Sequence, residues 1–305
     1  MQMHNIFEDV KNSLHFNKFE ISNLLYVEYT CPITDQETGV WSQVDFIIHV
    51  LSGKKIWKTK DQLWETKKGD TLYLKKGTYS TIQSFDQEFC MIGFFINDSF
   101  VREYLRHVEG KVPIRRSVKN LPEFSIARIP TTPMLTGFIN SMIPFFEDNK
   151  QPTRTLLELK FKELVLQMIT SSDTPGLTAY LQSLINGGDS LPGIMENNFM
   201  YSHSLDHFAK LCNRSLSTFK RDFRSYYGTS PGKWIINRRL EHAAELIINT
   251  DESISRIAWD TGFEDTSHFS SSFKVKFGKA PVVYRHEQKM LFLNAMKMLD
   301  IHSME

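Results

Sequence analysis

Three basic residues in the last third of the chain stand at a spacing that suits contact with nucleic acid. Lys220, Arg221 and Arg224 would share one side of a helix, with Ser217 one turn before them. The opposite side is apolar and is formed by Leu216, Phe219 and Phe223. Arginine and lysine side chains hydrogen-bond to guanine O6 and N7 in the major groove, and serine makes adaptable polar contacts. The pattern therefore predicts a helix that reads DNA.

The elements that must hold such a helix precede it in the sequence. Ser204 is placed to cap a short support helix. The apolar positions of that support helix are Leu205, Phe208, Ala209 and Leu211. Cys212-Asn213-Arg214 then provides a turn, and the second helix begins at Ser215. A support helix, a tight turn and a reading helix are the parts of a helix-turn-helix unit.

A long helix follows, and then the same arrangement occurs again. Ser230 and Pro231 suit the N-cap and the first position of a helix over Pro231–Asn249. The second unit is predicted from a support helix at Ser253–Ala258, a turn at Gly262-Phe263 and a reading helix at Asp265–Phe277. Its apolar stripe is Phe269, Phe273 and Phe277, and its polar positions are Thr266, Ser267, His268, Ser270, Ser271 and Lys274.

Landmark residues at fixed spacing in this region resemble the DNA-binding domain of the AraC/XylS family. They are Ala209, Ser215, Phe223, Gly228, Ser230-Pro231, Arg239-Leu240, Ala243, Ile257-Ala258, Gly262-Phe263, Phe269, Phe273-Lys274, Gly278, Pro281 and Tyr284-Arg285. In that family two helix-turn-helix units joined by a long helix read adjacent major-groove segments of double-stranded DNA. The resemblance implies a transcription regulator, an activator that works with RNA polymerase. It also implies a structural role for Arg239, with its charge neutralised by a nearby acid.

The resemblance decides between two interpretations of the polar helix faces. A charged stripe is by default a solvated surface, but a position within a matched reading helix favours DNA contact. The predicted DNA-binding residues are Ser217, Lys220, Arg221, Arg224, Thr266, Ser267, His268, Ser271 and Lys274. Family members often carry arginine where this chain has Ser271, and a hydroxyl discriminates bases less well than a guanidinium. We therefore expect the first unit to supply most of the base specificity.

Residues 1–100 have the pattern of β structure, with short β-branched and aromatic runs between glycine turns. The predicted strands are Leu24–Thr30, Val44–Leu51, Lys54–Lys58, Thr71–Lys75, Tyr79–Ser84 and Phe89–Ile96. Many short strands favour an antiparallel barrel or a double-sheet roll. This half is similar to the cupin-like sensor domains of the family in architecture only. The resemblance implies that it binds an effector, either a small molecule or a protein partner.

Helical spacing takes over after the strands. Ser99–His107 is predicted as a short helix and Arg154–Thr170 as a long one. The apolar stripe of the long helix is Leu157, Phe161, Leu164, Val165 and Met168. Leu156 and Leu159 lie off that stripe, so we expect this helix to hold a homodimer together as well as its own domain.

The whole chain is predicted to have an α+β fold with two domains. A cupin-like sensor and dimerisation domain occupies residues 1–170, a linker residues 171–190, an all-α DNA-binding domain with two helix-turn-helix units residues 191–290, and a tail residues 291–305. The composition of residues 171–190, rich in glycine, serine and threonine, is typical of a linker between domains.

The formal net charge of +1 is not spread evenly along the chain. Residues 191–290 hold 14 Lys and Arg against 11 Asp and Glu, so this part is mildly basic, as DNA binding permits. The 3 cysteines follow no pairing motif, which is typical of a reduced compartment. No secretory signal and no apolar run of membrane length is visible, so we expect a cytoplasmic protein.

A metal-dependent enzyme with an appended DNA-binding domain is the rival interpretation. Cupin-like barrels that bind divalent metals use clustered histidines and a carboxylate. The strand region offers His49 and no His-x-His pair, while His203 and His207 lie at a helix start beside the DNA-reading unit. We expect no metal, no cofactor and no enzymatic activity.

The aromatic residues of the strand region fit two interpretations, the lining of an apolar ligand pocket or the packing of a small barrel. They are Tyr26, Trp41, Phe46, Trp57, Trp64, Tyr73, Tyr79, Phe89, Phe94 and Phe95. A third possibility replaces the small effector with a protein that docks on the barrel or on the Arg154–Thr170 helix. The sequence leaves these alternatives open and names neither the effector nor the operator.

Overall fold

The chain folds into two compact units, Met1–Ile194 and Met195–Glu305, here called unit one and unit two. The structure is a computed structural model that describes residues 3–21, 24–30, 37–59, 62–83, 88–112, 124–147, 152–186, 191–288 and 290. In those residues there is no helix with both the length and the apolar character needed to cross a lipid bilayer. Each unit is described separately below.

Unit one contains two β-sheets. Its strands are β1 (Met3–Asn5), β2 (Asn17–Ile21), β3 (Leu24–Thr30), β4 (Glu37–Ser42), β5 (Asp45–Ser52), β6 (Lys54–Lys58), β7 (Leu63–Lys67), β8 (Thr71–Leu74), β9 (Gly77–Gln83), β10 (Cys90–Ile96) and β11 (Ile126–Ile129). One sheet has the order β1-β4-β9-β6-β7 and the other the order β11-β8-β5-β10-β3-β2. The described strand pairs are antiparallel, as expected, apart from β1 and β4, which run parallel.

Each strand predicted from the sequence is present, as β3, β5, β6, β8, β9 and β10. The sequence patterns missed β1, β2, β7 and β11, which are the four edge strands of the two sheets. Side chains of an edge strand stay partly exposed, so its alternation of apolar and polar residues is weak. The patterns also missed β4, where Thr38 and Gly39 interrupt the apolar run.

The two sheets share one core, and aromatic rings fill much of it. Phe46 and Phe95 of one sheet lie in the same cluster as Trp57 and Tyr79 of the other. The ring centroid of Phe46 is 5.3 Å from that of Phe95 and 6.1 Å from that of Trp57, and Trp57 lies 6.2 Å from Tyr79. For these four residues the contacts in the structure are those of a packed core.

A second core lies between the β10 sheet and the helices that follow β10 in unit one. The helices of this unit are α1 (Ile6–Asn12), α2 (Asp98–Val108), α3 (Pro133–Met142), α4 (Pro144–Glu147), α5 (Arg154–Thr170) and α6 (Pro175–Ser183). Of these, α1 packs into the first core. The ring of Phe94 lies 5.5 Å from that of Phe138 in α3 and 6.0 Å from that of Phe161 in α5. The apolar stripe predicted for α5 is buried in this core, which confirms that prediction.

The segment predicted as a linker, residues 171–190, differs from that expectation. The helix α6 buries Leu177 and Leu181 in the same core as α5, and a 3-10 turn follows at Leu184–Asn186. Pro175 occupies the first turn of α6, where its missing N–H is harmless, and the two leucines at i and i+4 give the helix an apolar side. The composition of this segment alone therefore did not reveal its helix. Residues 187–190 lie outside the described part of the chain.

Unit two is built from helices. The helix α7 (Leu191–Asn198) spans the division between the units, and the next helices are α8 (Leu205–Leu211), α9 (Leu216–Tyr227), α10 (Pro231–Asn249), α11 (Ile254–Asp260) and α12 (Thr266–Phe277). Residues 281–288 are also helical, while the predicted tail, residues 291–305, lies outside the described residues. The long helix α10 shares a core with α11 and α12 through Leu240, Ala243, Phe269 and Phe273.

Candidate nucleic-acid interface

The first helix-turn-helix unit consists of α8 and α9. Ser204 caps α8 by accepting a hydrogen bond of 3.3 Å from the amide of His207, and Ser215 caps α9 by accepting one of 3.3 Å from the amide of Thr218. In the turn, Asn213 has a φ of 53°, a left-handed conformation that asparagine tolerates better than most residues. The Arg214 amide then donates to the Ala209 carbonyl at 2.9 Å, which closes the turn tightly.

The two sides of α9 separate as the sequence predicts. Phe219 and Phe223 are fully buried, and Leu216 at the start of the helix is half-buried. The opposite side exposes Ser217, Lys220, Arg221 and Arg224. Apolar packing thus fixes the orientation of α9 and holds its basic side in solvent.

The Arg221 side chain extends into solvent and forms an ion pair with the neighbouring Asp222. Its side chain is 76% exposed, and its Nε lies 3.3 Å from Oδ1 of Asp222. The same carboxylate accepts a hydrogen bond of 3.0 Å from Nε of Arg214 in the turn. Asp222 thus ties the reading helix to the turn and holds Arg221 at the edge of the exposed side.

A groove of about 800 Å³ runs along this basic side. Lys220, Arg221, Arg224 and Ser225 line it from α9, and residues at the start of two other helices, Leu205, Ser230, Pro231 and Gly232, complete it. Ser230 caps α10 by accepting from the Lys233 amide at 3.4 Å. The sequence pattern did not single out Leu205, Ser225 or Gly232 for this groove, because their place in it depends on how three helices meet.

The second helix-turn-helix unit consists of α11 and α12. Ser253 caps α11, and Asp265 caps α12 by accepting from the Ser267 amide at 2.7 Å. In the turn, Gly262 has a φ of 87°, and the Phe263 amide donates to the Ala258 carbonyl at 3.0 Å. This repeats the turn of the first unit with one difference: the stretch from the left-handed residue to the cap is one residue longer and includes Glu264.

The polar side of α12 carries less charge than that of α9. Phe269 and Phe273 are fully buried, while Ser267, His268, Ser271 and Lys274 are exposed and Thr266 is half-buried. The ring of His268 lies 5.8 Å from that of Phe263, so the turn limits where this side chain can reach. The side of α12 that faces solvent is therefore mainly hydroxyl-bearing.

The segment ahead of α8 and the turn of the second helix-turn-helix unit meet at Arg239 of α10. Its guanidinium donates to three main-chain carbonyls: Nε to Phe199 at 2.7 Å, Nη2 to Tyr201 at 2.7 Å and Nη1 to Gly262 at 2.6 Å. Burial lowers the pKa of Arg239 to about 10, and the charge of Glu264 opposes that shift. The structural role implied for Arg239 agrees with these contacts. Glu264 is the nearby acid whose negative charge favours the charged guanidinium, while the described hydrogen bonds of Arg239 go to carbonyl oxygens.

The histidines considered as metal ligands, His49, His203 and His207, lie next to a hydroxyl group or another ring. The His203 ring lies 5.1 Å from that of His207, and burial lowers the pKa of His203 to about 3. Nδ1 of His49 lies 2.8 Å from the Thr71 hydroxyl, and burial lowers the pKa of His49 as well. Within the described ranges, no group of three or more His, Cys, Asp or Glu side chains is placed to hold a metal ion.

Two helix-turn-helix units, each with capped helices and a left-handed residue in its turn, are joined by one long helix and define a DNA-binding protein of the double helix-turn-helix class. Family models match both parts of the chain: one for the ExsA N-terminal regulatory domain at residues 45–180 and one for a helix-turn-helix domain at residues 208–287. The chain belongs to the AraC/XylS family of transcription regulators.

Several named proteins are similar to most of the chain. The virulence regulon transcriptional activator VirF of Yersinia enterocolitica is 29% identical over 240 residues, which is 78% of this chain and 87% of VirF. The regulator ExsA of Pseudomonas aeruginosa is 26% identical over 234 residues, which is 76% of this chain and 82% of ExsA. Among solved structures, a single-residue variant of apo ToxT from Vibrio cholerae is 16% identical, with a TM-score of 0.42, and the match covers 87% of this chain and 98% of that one.

Proposed function

We propose that this regulator activates transcription by placing α9 and α12 in two adjacent major-groove segments of an operator. The observation that carries the proposal is the exposed basic side of α9, where Lys220, Arg221 and Arg224 line one groove. These side chains are the ones that recognise guanine edges and DNA phosphates. The names of relatives such as VirF, given as transcriptional activators, support activation over repression and thus a productive contact with RNA polymerase.

The proposed division of labour follows from the chemistry of the two exposed sides. On α9, Ser217, Lys220, Arg221 and Arg224 make the base contacts that specify sequence. On α12, the candidate side chains are Thr266, Ser267, His268, Ser271 and Lys274. These side chains contact mainly phosphates and sense DNA shape, because hydroxyls discriminate bases less well than guanidinium groups.

Unit one is proposed to be the regulatory part of the protein. The match of residues 45–180 to the ExsA N-terminal regulatory domain supports this assignment. The effector is a small molecule or a protein partner, as the sequence already allowed. The protein works in the cytoplasm, where its DNA lies.

We also propose that the protein forms a homodimer in which the two chains contact each other through α5. Leu156 and Leu159 are 41% and 56% exposed on the side of α5 that faces away from its core. Ion pairs of 2.7 Å between Lys162 and Glu158 and of 3.0 Å between Lys160 and Glu163 lie on the same helix. Exposed leucines flanked by paired charges are typical of a seam between helices.

Genome-wide mapping of the bound DNA followed by a reporter assay tests the proposal. The triple variant Lys220→Ala/Arg221→Ala/Arg224→Ala should lose occupancy and reporter activation at the mapped sites. A matched control, Lys54→Ala/Lys58→Ala/Lys67→Ala, removes three exposed lysines from unit one and should retain both. Equal loss in the two triple variants would mean that general charge, and not the α9 side, drives binding. Occupancy that persists in the first variant would contradict the proposal outright.

A further inference from the structure

The segment that leads into the first helix-turn-helix unit touches the turn of the second unit at a junction made largely of main chain. We call this the turn junction: residues 199–202 ahead of α8, Arg239 of α10, and residues 262–264 of the second turn. Three of the N–H groups of Arg239 bind carbonyls on both sides of it, those of Phe199 and Tyr201 on one and that of Gly262 on the other. A guanidinium is planar and rigid, so three acceptors fix the relative position of both segments.

The approach of the two segments is too close for any side chain to lie between them. A Cβ added at Gly262 would stand 2.1 Å from the Met200 carbonyl oxygen and 2.9 Å from Cζ of Arg239. The φ of 87° at Gly262 is also one that other residues rarely adopt. The turn junction is thus a direct contact of backbone with backbone, which leaves little freedom for the segment ahead of α8 to slide against the second turn.

The extra residue of the second turn belongs to this junction. Glu264, which has no counterpart in the shorter first turn, accepts a hydrogen bond from the hydroxyl of Ser202. Its charge also favours the charged form of Arg239 against the cost of burial. The extra residue of the second turn therefore contributes to the contact between this turn and the segment ahead of α8.

Each helix-turn-helix unit also has its own attachment to α10, and the attachments lie at different ends of that helix. The Phe223 ring of α9 lies 5.8 Å from Trp234, near the start of α10, whereas Phe273 of α12 shares a core with Leu240 and Ala244 further along. A helix can bend between two such attachments. The turn junction ties the segment ahead of α8 to the second turn and restricts that bending.

We propose that the turn junction sets the distance between α9 and α12 and thereby the spacing of the two DNA segments that the protein accepts. This inference rests on the proposed function, in which both helices read DNA. The residues 199–202 lead into α8, and residues 262–264 lead into α12, so any shift at the junction moves both helix-turn-helix units. Arg239 is a positioning residue in this proposal and touches no base.

The test uses full-length protein and a series of operators in which one or two base pairs are added or removed between the two mapped segments. Wild-type affinity should fall about 10-fold for each altered spacing, because α12 then lies over a DNA segment whose shape and sequence it does not match. Arg239→Lys keeps the charge but cannot hold three carbonyls in one plane. The ratio of its affinities for the native and the altered spacing should therefore shrink to about 3-fold or less. Arg238→Lys, one position away and paired with Glu196 and Glu241, is the matched control and should keep the wild-type ratio.

Because Arg239 holds three main-chain carbonyls, folding of its variant is checked by thermal unfolding and circular dichroism. If Arg239→Lys does not fold, Glu264→Ala decides the matter, because Glu264 is exposed and its replacement removes the Ser202 contact. It should also reduce the spacing ratio. A wild-type ratio retained in the folded variant overturns the proposal, as does a wild type that tolerates every spacing. A base-substitution scan that finds one sensitive segment and not two would contradict the proposed function. Failure of the spacing inference and failure of the proposed function therefore give different results.

Discussion

Arg221 and Lys220 are neighbours on α9, but their surroundings differ. Asp222 lies 3.3 Å from Nε of Arg221 and favours one orientation of its guanidinium, although the side chain stays 76% exposed. A planar guanidinium suits a two-bond contact with guanine, whereas a flexible ammonium suits a phosphate.

Arg221→Ala should therefore lower the affinity for the operator by about 1–3 kcal/mol and relax the preference at one base position. Lys220→Ala should weaken binding to all sequences alike and reduce its salt dependence. Titration of labelled operator and of base-substituted versions at several salt concentrations measures both effects. Lys58→Ala, which removes an exposed charge from unit one, is the control. Wild-type binding by Arg221→Ala would show that α9 is not placed on bases as proposed.

Gly262 and Gly278 form a matched pair for a stability test, because both have a positive φ and only one is crowded. A Cβ at Gly278 meets nothing within 4 Å, whereas one at Gly262 meets the Met200 carbonyl oxygen at 2.1 Å. Gly278→Ala should cost about 1 kcal/mol from backbone strain alone. Gly262→Ala should cost roughly 3 kcal/mol or more, since the clash adds to the strain. Urea unfolding, with hydrogen exchange to locate the loss in unit two, compares them. Equal costs would contradict the close approach.

The local patterns predicted α9 and its opposite sides, the serine caps and the inner strands of both sheets apart from β4. Each of these depends on residues close in sequence, such as Ser215 beside Leu216. The patterns failed where a partner distant in sequence decides the outcome. Leu177 and Leu181 look like part of a linker until the core that receives them is known. The carbonyls of Phe199 and Tyr201 likewise have no sequence signal that would pair them with Arg239.

The exposed side of α5 gives a prediction about assembly. Leu159→Glu should convert the proposed dimer into a monomer, because association would then bury a carboxylate without a partner. Sedimentation of the full-length variant at micromolar concentration measures this. Leu14→Glu is the control, since Leu14 is 97% exposed in the same unit but does not belong to α5. A wild-type chain that sediments as a monomer, or a Leu159→Glu variant that stays dimeric, would remove the dimer from the proposal.

At the scale of the whole molecule, the proposed DNA-binding function should be separable. A fragment that begins at Leu191 retains α7, and with it Glu196, which pairs with Arg238 at 3.0 Å, and the fully buried Phe199. It should fold, bind operator DNA as a monomer and bind paired sites more weakly than the full chain. Sedimentation and DNA titration test these points.

A second fragment that begins at Ser204 provides the contrast. It keeps both helix-turn-helix units but lacks two of the three carbonyls that hold Arg239. Its guanidinium would lose those partners, so we expect the fragment to be unstable or unfolded by circular dichroism. A shorter fragment as stable as the longer one would show that the segment before α8 contributes little to unit two.

The exposed side of α9 carries more positive charge than that of α12, and the proposed difference in base specificity depends on this. If α12 reads DNA mainly through phosphates and shape, then replacing its exposed Ser271 with arginine should add affinity and a new base preference. The matched change on the basic helix, Arg224→Ser, should reduce affinity. No gain of affinity in Ser271→Arg would indicate that this position does not approach the DNA.

The most direct test of the central claim is a systematic base-substitution scan of the mapped operator with the full-length protein. We expect two sensitive segments about one helical turn apart, with steep losses of about 1–3 kcal/mol per base under α9 and shallow ones under α12. Equally steep losses in both segments would contradict the unequal roles of the two helices. A single sensitive segment would contradict the claim that both helices read the DNA.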